Sequence, residues 1–263
     1  MNQMVDKALR GMALLKVSNI RHWTNRTFSF SCERPQGFRF RSGEFAMIGL
    51  IVDGKPLLRA YSIASPAWDD VLEFYSIKVD DGPLTSRLQH IGEGDEIVMR
   101  PKPVGTLVHD ALTPGNRLFL FSTGTGIAPF ASLIREPETY DKFGQVVLTH
   151  TCRERKELEY GIELVARIRA DEMLSELVDD KLVHIATTTR EESGRMGRMT
   201  DWIRDGRLAR ETGAPLDPAT DRVMICGSMA MLQEHKAICE ALGFVEGSNS
   251  EPGQFVIEKA FVD

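Results

Sequence analysis

The hydrophobic pattern of roughly the first 110 residues reads as all-β, a mixture of alternating stretches and short apolar runs. Phe28 and Phe30 alternate with small polar residues, and Glu44 to Val52 is an apolar run. Asp53-Gly54 behind that run is a tight-turn signal leading back into Leu57 to Ser62. Val71 to Val79 is rich in aromatic and β-branched residues and predicts a further strand. Short strands spaced by Gly and Asp turns predict a closed or Greek-key antiparallel β-barrel. Asp81-Gly82-Pro83 then turns the chain, and Pro83 suits the first position of a brief helix ending at Leu88.

The pattern changes across Pro101, Pro103, Gly105, Pro114 and Gly115, a turn-rich stretch that marks a domain boundary. Beyond it, short continuous apolar runs alternate with helical segments. Arg117 to Ser122 precedes Ile127 to Arg135, and Gln145 to His150 precedes Glu157 to Ala170. Lys181 to Thr187 follows, then Val223 to Cys226 with Met229 to Leu242, and Phe255 to Glu258 adds a last strand. This alternation predicts an α/β domain with a parallel sheet covered on both faces. The two domains are expected at residues 1–112 and 113–263.

A chain of 263 residues is long enough for two domains with separate cores. Its 42% hydrophobic and 27% charged residues are those of a soluble globular protein, and no apolar span reaches membrane length. The apolar run Gly11 to Leu15 stops at Lys16, too short for a secretory leader, so a cytoplasmic protein without membrane contacts is expected. Cys32, Cys152, Cys226 and Cys239 lie too far apart for a disulfide framework, a zinc site or an iron–sulfur cluster. Redox chemistry would then need a bound organic cofactor. The net charge of −6 argues against nucleic acid as a partner.

Arg59-Ala60-Tyr61-Ser62 puts a fixed cation, an aromatic face and a hydroxyl on one extended segment. Such a set holds a phosphate and a flat redox ring together, although it also suits an edge strand with an exposed arginine and a half-buried tyrosine. Gly82 to Ser86 offers backbone N–H groups and two hydroxyls at a helix start, fitting either a pyrophosphate or a capped turn. Gly124-Thr125-Gly126 lies between a buried strand and a helix, where open α/β sheets bind nucleotides. Cys226-Gly227-Ser228 repeats that arrangement, or is a buried cysteine before a tight turn. Arg153, Arg190 and Arg198 favour NADP over NAD, because arginine accommodates the extra 2′-phosphate where an acid would take a free ribose. Glu191 and Glu192 leave open a solvated charged loop at Arg190. His150 and Cys152 read as structural, and no metal is expected.

Arg59 to Ser65, Phe74 to Lys78, Gly82 to Leu88, Arg100 to Leu107, Gly124 to Phe130, Cys226 to Ser228 and Val256 to Phe261 together resemble the ferredoxin–NADP+ reductase family, most closely its bacterial ferredoxin/flavodoxin reductases. The resemblance spans nearly the whole chain. It implies an N-terminal FAD-binding barrel and a C-terminal NADP-binding α/β domain. Flavin contacts are implied for Arg59, Ala60, Tyr61, Ser62, Phe74, Tyr75, Ser76, Ile77, Lys78, Gly82, Leu84, Thr85, Ser86 and Thr125. Coenzyme contacts are implied for Gly124, Thr125, Gly126, Arg153, Arg190, Arg198, Cys226 and Gly227. Ser62, Cys226 and Glu258 match polar residues at the nicotinamide–flavin meeting point and form the expected catalytic set. Where plant-type members end in an aromatic residue, this chain has Ala260, followed by Phe261, which packs on FAD in the bacterial pattern or plugs the terminal strand.

The activity so implied is electron transfer between NADP(H) and ferredoxin or flavodoxin, by a monomer that docks its carrier transiently through charge. A flavin reductase, or an oxygenase reductase component with a different acceptor, uses the same parts. Readings from other classes are a Greek-key binding module joined to an inactive α/β domain, and a regulator that carries FAD without turnover.

Overall fold

The computed structural model describes residues 9–259. Six strands come first: β1 Ala13–His22, β2 Thr27–Glu33, β3 Phe45–Val52, β4 Lys55–Ser62, β5 Val71–Ile77 and β6 Glu96–Met99. They pair antiparallel in the order β4-β3-β6-β1-β2-β5. The edge strands β4 and β5 meet again at a bridge between Ile63 and Phe74, which curls the sheet into a barrel-like shape. At the β3–β4 turn Asp53 and Gly54 both have positive φ, 51° and 72°, as a two-residue hairpin loop requires. Phe28, Phe30 and Phe74 are fully buried and pack ring to ring inside.

Two strands escape the sequence pattern. The run at Gly11 to Leu15 opens β1, in which Leu15 and Val17 are buried while Leu14 is exposed. β6 has only four residues and three consecutive buried ones, so it shows no alternation. The short helix α1 spans Thr85–Leu88, with Leu84 at its cap. Pro83 therefore precedes the helix instead of opening it.

The second sheet contains β7 Arg117–Thr123, β8 Gln145–Cys152, β9 Leu182–Thr188, β10 Asp221–Gly227 and β11 Phe255–Lys259. All pairings are parallel, in the order β11-β10-β7-β8-β9. Its helices are α2 Ala128–Leu133, α3 Pro137–Lys142, α4 Glu159–Ala170, α5 Ser175–Val178, α6 Met199–Arg204, α7 Arg207–Thr212 and α8 Met229–Ala241. Separate apolar clusters fill the two faces of the sheet, as a doubly covered parallel sheet demands. No helix among the described residues is long and apolar enough to cross a membrane.

Barrel and sheet domain are joined along β5. Successive side chains of a strand face opposite ways, so Phe74 points into the barrel while Glu73 and Tyr75 face the second domain. Tyr75 stacks on Tyr160 of α4 with ring centroids 4.1 Å apart, and Trp23 meets the edge of Tyr160 at 5.3 Å. Glu73 accepts from the Tyr160 hydroxyl at 3.1 Å and from Arg135 at 3.0 Å. Ser132 of α2 donates to the Ser65 carbonyl at 2.7 Å.

Truncation of this seam is expected to weaken the whole fold. In urea unfolding, Tyr160→Ala should lose about 3–5 kcal/mol, the usual cost of emptying a buried aromatic site. Tyr160→Phe, which keeps the ring and drops the bond to Glu73, should lose about 1 kcal/mol. Equal losses from the two variants would show that the aromatic stack contributes nothing.

Candidate functional site

On β4, Arg59 is partly buried and makes one side-chain hydrogen bond, to the Leu58 carbonyl at 2.9 Å. It has no carboxylate partner among the described residues. The hydroxyls of Tyr61 and Ser76 lie 3.1 Å apart, and the Tyr61 ring meets Phe74 edge-on at 6.5 Å, which fixes the plane of the tyrosine. Lys78 donates to the Thr24 carbonyl at 3.1 Å. At α1, the Ser86 N–H goes to the Gly82 carbonyl and the Thr85 hydroxyl to Val79, while the N–H groups of Leu84 and Thr85 have no acceptor among the described residues. A cation without a carboxylate, two unsatisfied N–H donors and an oriented aromatic ring fit the chemistry of a flavin dinucleotide.

Three features narrow how the expected contacts would be made. Tyr75 is 4% exposed and its ring stacks in the interdomain seam, so a contact there would come from its backbone. The Leu84 side chain is buried in the barrel core, which leaves only its backbone to make a contact. Of the two hydroxyls at this turn, that of Thr85 is already engaged internally. Ala260 and Phe261 lie outside the described residues.

A cleft of about 640 Å³ opens at the carboxyl ends of the parallel strands. Gly124, Arg153, Arg190 and Arg198 all line it, as do Arg26 and Ile77 from the barrel. Arg153 and Arg190 have no carboxylate partner among the described residues, whereas Arg198 lies 3.2 Å from Glu234. Glu191 is taken by the Arg155 side chain and backbone, each at 2.8 Å, so it does not neutralise Arg190. The lining fits a phosphorylated nucleotide: four arginines, with Thr151, Thr189 and Ser228 in the same wall.

The glycines divide by role. A Cβ on Gly124 would meet nothing within 4 Å, and this residue has φ +53° at the cleft wall. A Cβ on Gly126 would strike the Cys226 carbonyl at 2.4 Å, and one on Gly227 the Thr123 hydroxyl at 2.3 Å. These two permit β7 and β10 to approach each other's loops and do not line the cleft. The 3-10 turn Gly124–Ile127 is anchored by His150, whose Nε2 lies 2.9 Å from the Gly124 carbonyl and 3.2 Å from the Cys152 sulfur. Burial pulls His150 down to about 4, so it is neutral near pH 7 and can donate from Nε2. Thr125 is buried in that turn and lies outside the cleft wall. Among the described residues no group of three or more His, Cys, Asp or Glu is placed to hold a metal.

Cys226 is fully buried in β10, aligned with Ser122 on one side and Glu258 on the other. Burial first and the Glu258 charge second push its thiol well above the ordinary value. Glu258 accepts from the Thr106 N–H at 3.1 Å, and Thr106 also donates its hydroxyl to the Ile257 carbonyl. A backbone ladder leads from there to the flavin segment: Val104 bridges to Phe45, and Phe45 pairs with Ser62. Residues from both ends of the chain thus converge on one junction between the domains. Among the cleft residues that single-sequence reading missed are Thr123, at the end of β7, and Arg26, which comes from the barrel and carries no local signal of the cleft.

Comparison with known proteins places this architecture. The family model described as an oxidoreductase NAD-binding domain matches residues 120–237. The chain is 60% identical to the flavodoxin/ferredoxin–NADP reductase of Rhodobacter capsulatus, over 94% of this chain and 92% of that one. It is 48% identical to the ferredoxin–NADP reductase of Pseudomonas aeruginosa, over 94% and 97%. A solved ferredoxin NADP+ reductase from Neisseria gonorrhoeae with bound FAD and NADP superposes with a TM-score of 0.86 at 26% identity, over 95% of this chain and 99% of that one. With relatives this similar over nearly its full length, the chain belongs to the flavodoxin/ferredoxin–NADP reductase family.

Proposed function

We propose that this chain is an FAD-dependent oxidoreductase that exchanges electrons between NADP(H) and ferredoxin or flavodoxin. The observation that carries the reading is the cleft in which Arg153, Arg190 and Arg198 converge with Gly124 while the barrel supplies Ile77 and Arg26 to the same wall. Three arginines of the α/β domain in that position favour a coenzyme with a 2′-phosphate, and a wall shared by both domains supports a binding mode beside the flavin segment. Residues 1–112 form the flavin domain in this reading and residues 113–263 the coenzyme domain.

Bound FAD would accept two electrons as hydride and release them singly, matching NADPH to a one-electron carrier. The protein's own task is binding, orientation and charge. Arg59 would neutralise the FAD pyrophosphate, helped by the N–H groups of Leu84 and Thr85. Ser76 holds the Tyr61 hydroxyl and thereby orients the ring that would stack on a bound flavin. Ser62, Cys226 and Glu258 would supply the polar groups where the nicotinamide meets the flavin. Burial raises Glu258 to about 7, opposed by the Thr106 N–H and reinforced by the Glu44 charge, so this carboxyl holds or gives up a proton near neutrality. The thiol of Cys226 stays neutral there. An acidic carrier protein would dock transiently through Lys and Arg, an attraction that weakens with salt. We place the enzyme in the cytoplasm as a monomer.

Two outcomes test the reading. Arg153→Ala and Arg198→Ala should each raise the KM for NADPH about tenfold, as expected for loss of a charge-assisted hydrogen bond, and leave KM for NADH within about twofold. Equal effects on both coenzymes would remove the 2′-phosphate assignment. The second outcome concerns pH. Folded Glu258 keeps its proton to about 7, whereas an unfolded glutamate releases it near 4.5. Its contribution to stability is therefore fully present below about 4.5 and is lost as pH rises through 7. Thermal unfolding of Glu258→Gln should show a shallower decline between pH 5 and 7 than the parent, and parallel curves would contradict the raised pKa.

A further inference from the structure

Three acidic side chains line the coenzyme cleft, and two of them are occupied locally. Glu157 accepts from the backbone N–H groups of Arg153 and Glu154 at 2.9 and 3.2 Å, and Asp201 lies 3.6 Å from Arg204. Glu234 behaves differently. From α8 it reaches α6 and the residue that caps it, so that one carboxylate oxygen takes Arg198 Nη1 at 3.2 Å and the other takes the Thr200 hydroxyl at 3.2 Å. A guanidinium and a hydroxyl offered together to two oxygens are the donors a phosphate would use.

We infer that Glu234 is a built-in stand-in for the 2′-phosphate, holding Arg198 and Thr200 until the coenzyme arrives and setting how strongly the phosphorylated ribose is preferred. The inference rests on the reading of this cleft as the NADP site. The Arg198 and Glu234 side chains are 67% and 36% exposed, so their ion pair is a surface pair of small net worth and is readily exchanged for a dianion. After the exchange the Glu234 carboxylate remains beside the phosphate. Like-charge repulsion then lowers affinity for nucleotides that carry the 2′-phosphate and leaves those without it little affected. Glu234 thus tempers NADP binding, which keeps release of the oxidised coenzyme easy.

Calorimetric titration of the FAD-loaded protein with adenosine 2′,5′-bisphosphate and, separately, with 5′-AMP tests this. Glu234→Gln keeps an acceptor for Thr200 and removes the charge. It should bind the bisphosphate about 3- to 10-fold more tightly, with 5′-AMP within about twofold, and the gain should shrink at high salt. Weaker or unchanged bisphosphate binding by Glu234→Gln, or an equal shift for both nucleotides, overturns the inference. Arg198→Ala alone separates the two levels. If it weakens the bisphosphate selectively while Glu234→Gln brings no gain, only the stand-in role falls; if it has no selective effect, the 2′-phosphate reading falls and takes the stand-in role with it.

Discussion

The arrangement depends on Glu73, a carboxylate held between the two domains. One oxygen accepts from the Tyr160 hydroxyl and the other from Arg135, whose guanidinium also donates to the carbonyls of Ala131 and Ala64. The Arg135 and Glu73 side chains are 15% and 16% exposed, so both charges have lost most of their hydration. A pair of this kind adds little net stability over an apolar contact, but removing one member leaves the other charged and unpaired. What the pair supplies is position. It pins the outward face of β5 to α2 and α4, and the stacked rings of Tyr75 and Tyr160 exclude water beside it.

The inward face of the same strand carries Phe74 and Ser76, which orient Tyr61 on β4. A slip of one residue in β5 would exchange the two faces and undo both jobs. The flavin segment and the coenzyme cleft are therefore mechanically linked through seven residues of strand. A second link closes the other side, where Thr106 of the barrel connection binds Glu258 and the Ile257 carbonyl at the end of the chain's last described strand. Electron transfer between two bound nucleotides needs their rings held in register, and these two links fix the segments of the two domains against each other.

Long regular elements were legible in the sequence because their periodicity covers several residues: β2 to β5, the buried strands β7 to β10, and helices α4 and α8. β1, β6, α3, α5, α6 and α7 were not: β6 shows no alternation, the burial along β1 is irregular, and helices of four to six residues make fewer than two turns, too few to repeat a pattern. The cleft was partly legible. Arg153 and Arg198 stand out by charge alone, whereas Arg190 has Glu191 beside it in sequence, and the sequence does not show that Glu191 binds Arg155 instead. Gly126 and Gly227 signalled a nucleotide turn for a different physical reason than ligand approach, namely backbone contact between loops. The seam role of the Tyr75 ring was not legible, because residue type marks an aromatic ring without saying which side of the strand it takes. Glu73 and Tyr160 gave no local signal, since their partnership spans 87 positions.

If the seam sets the relative position of the two nucleotides, weakening it must slow hydride transfer more than it weakens binding. Anaerobic stopped-flow reduction of bound FAD by NADPH, in Glu73→Gln, Arg135→Ala and the double variant, measures this directly. The account predicts that each single variant retains FAD and binds NADP+ within about threefold, that flavin reduction slows about tenfold, and that the double variant is no slower than the worse single one. Reduction at the parental rate in folded, FAD-loaded single variants would contradict it.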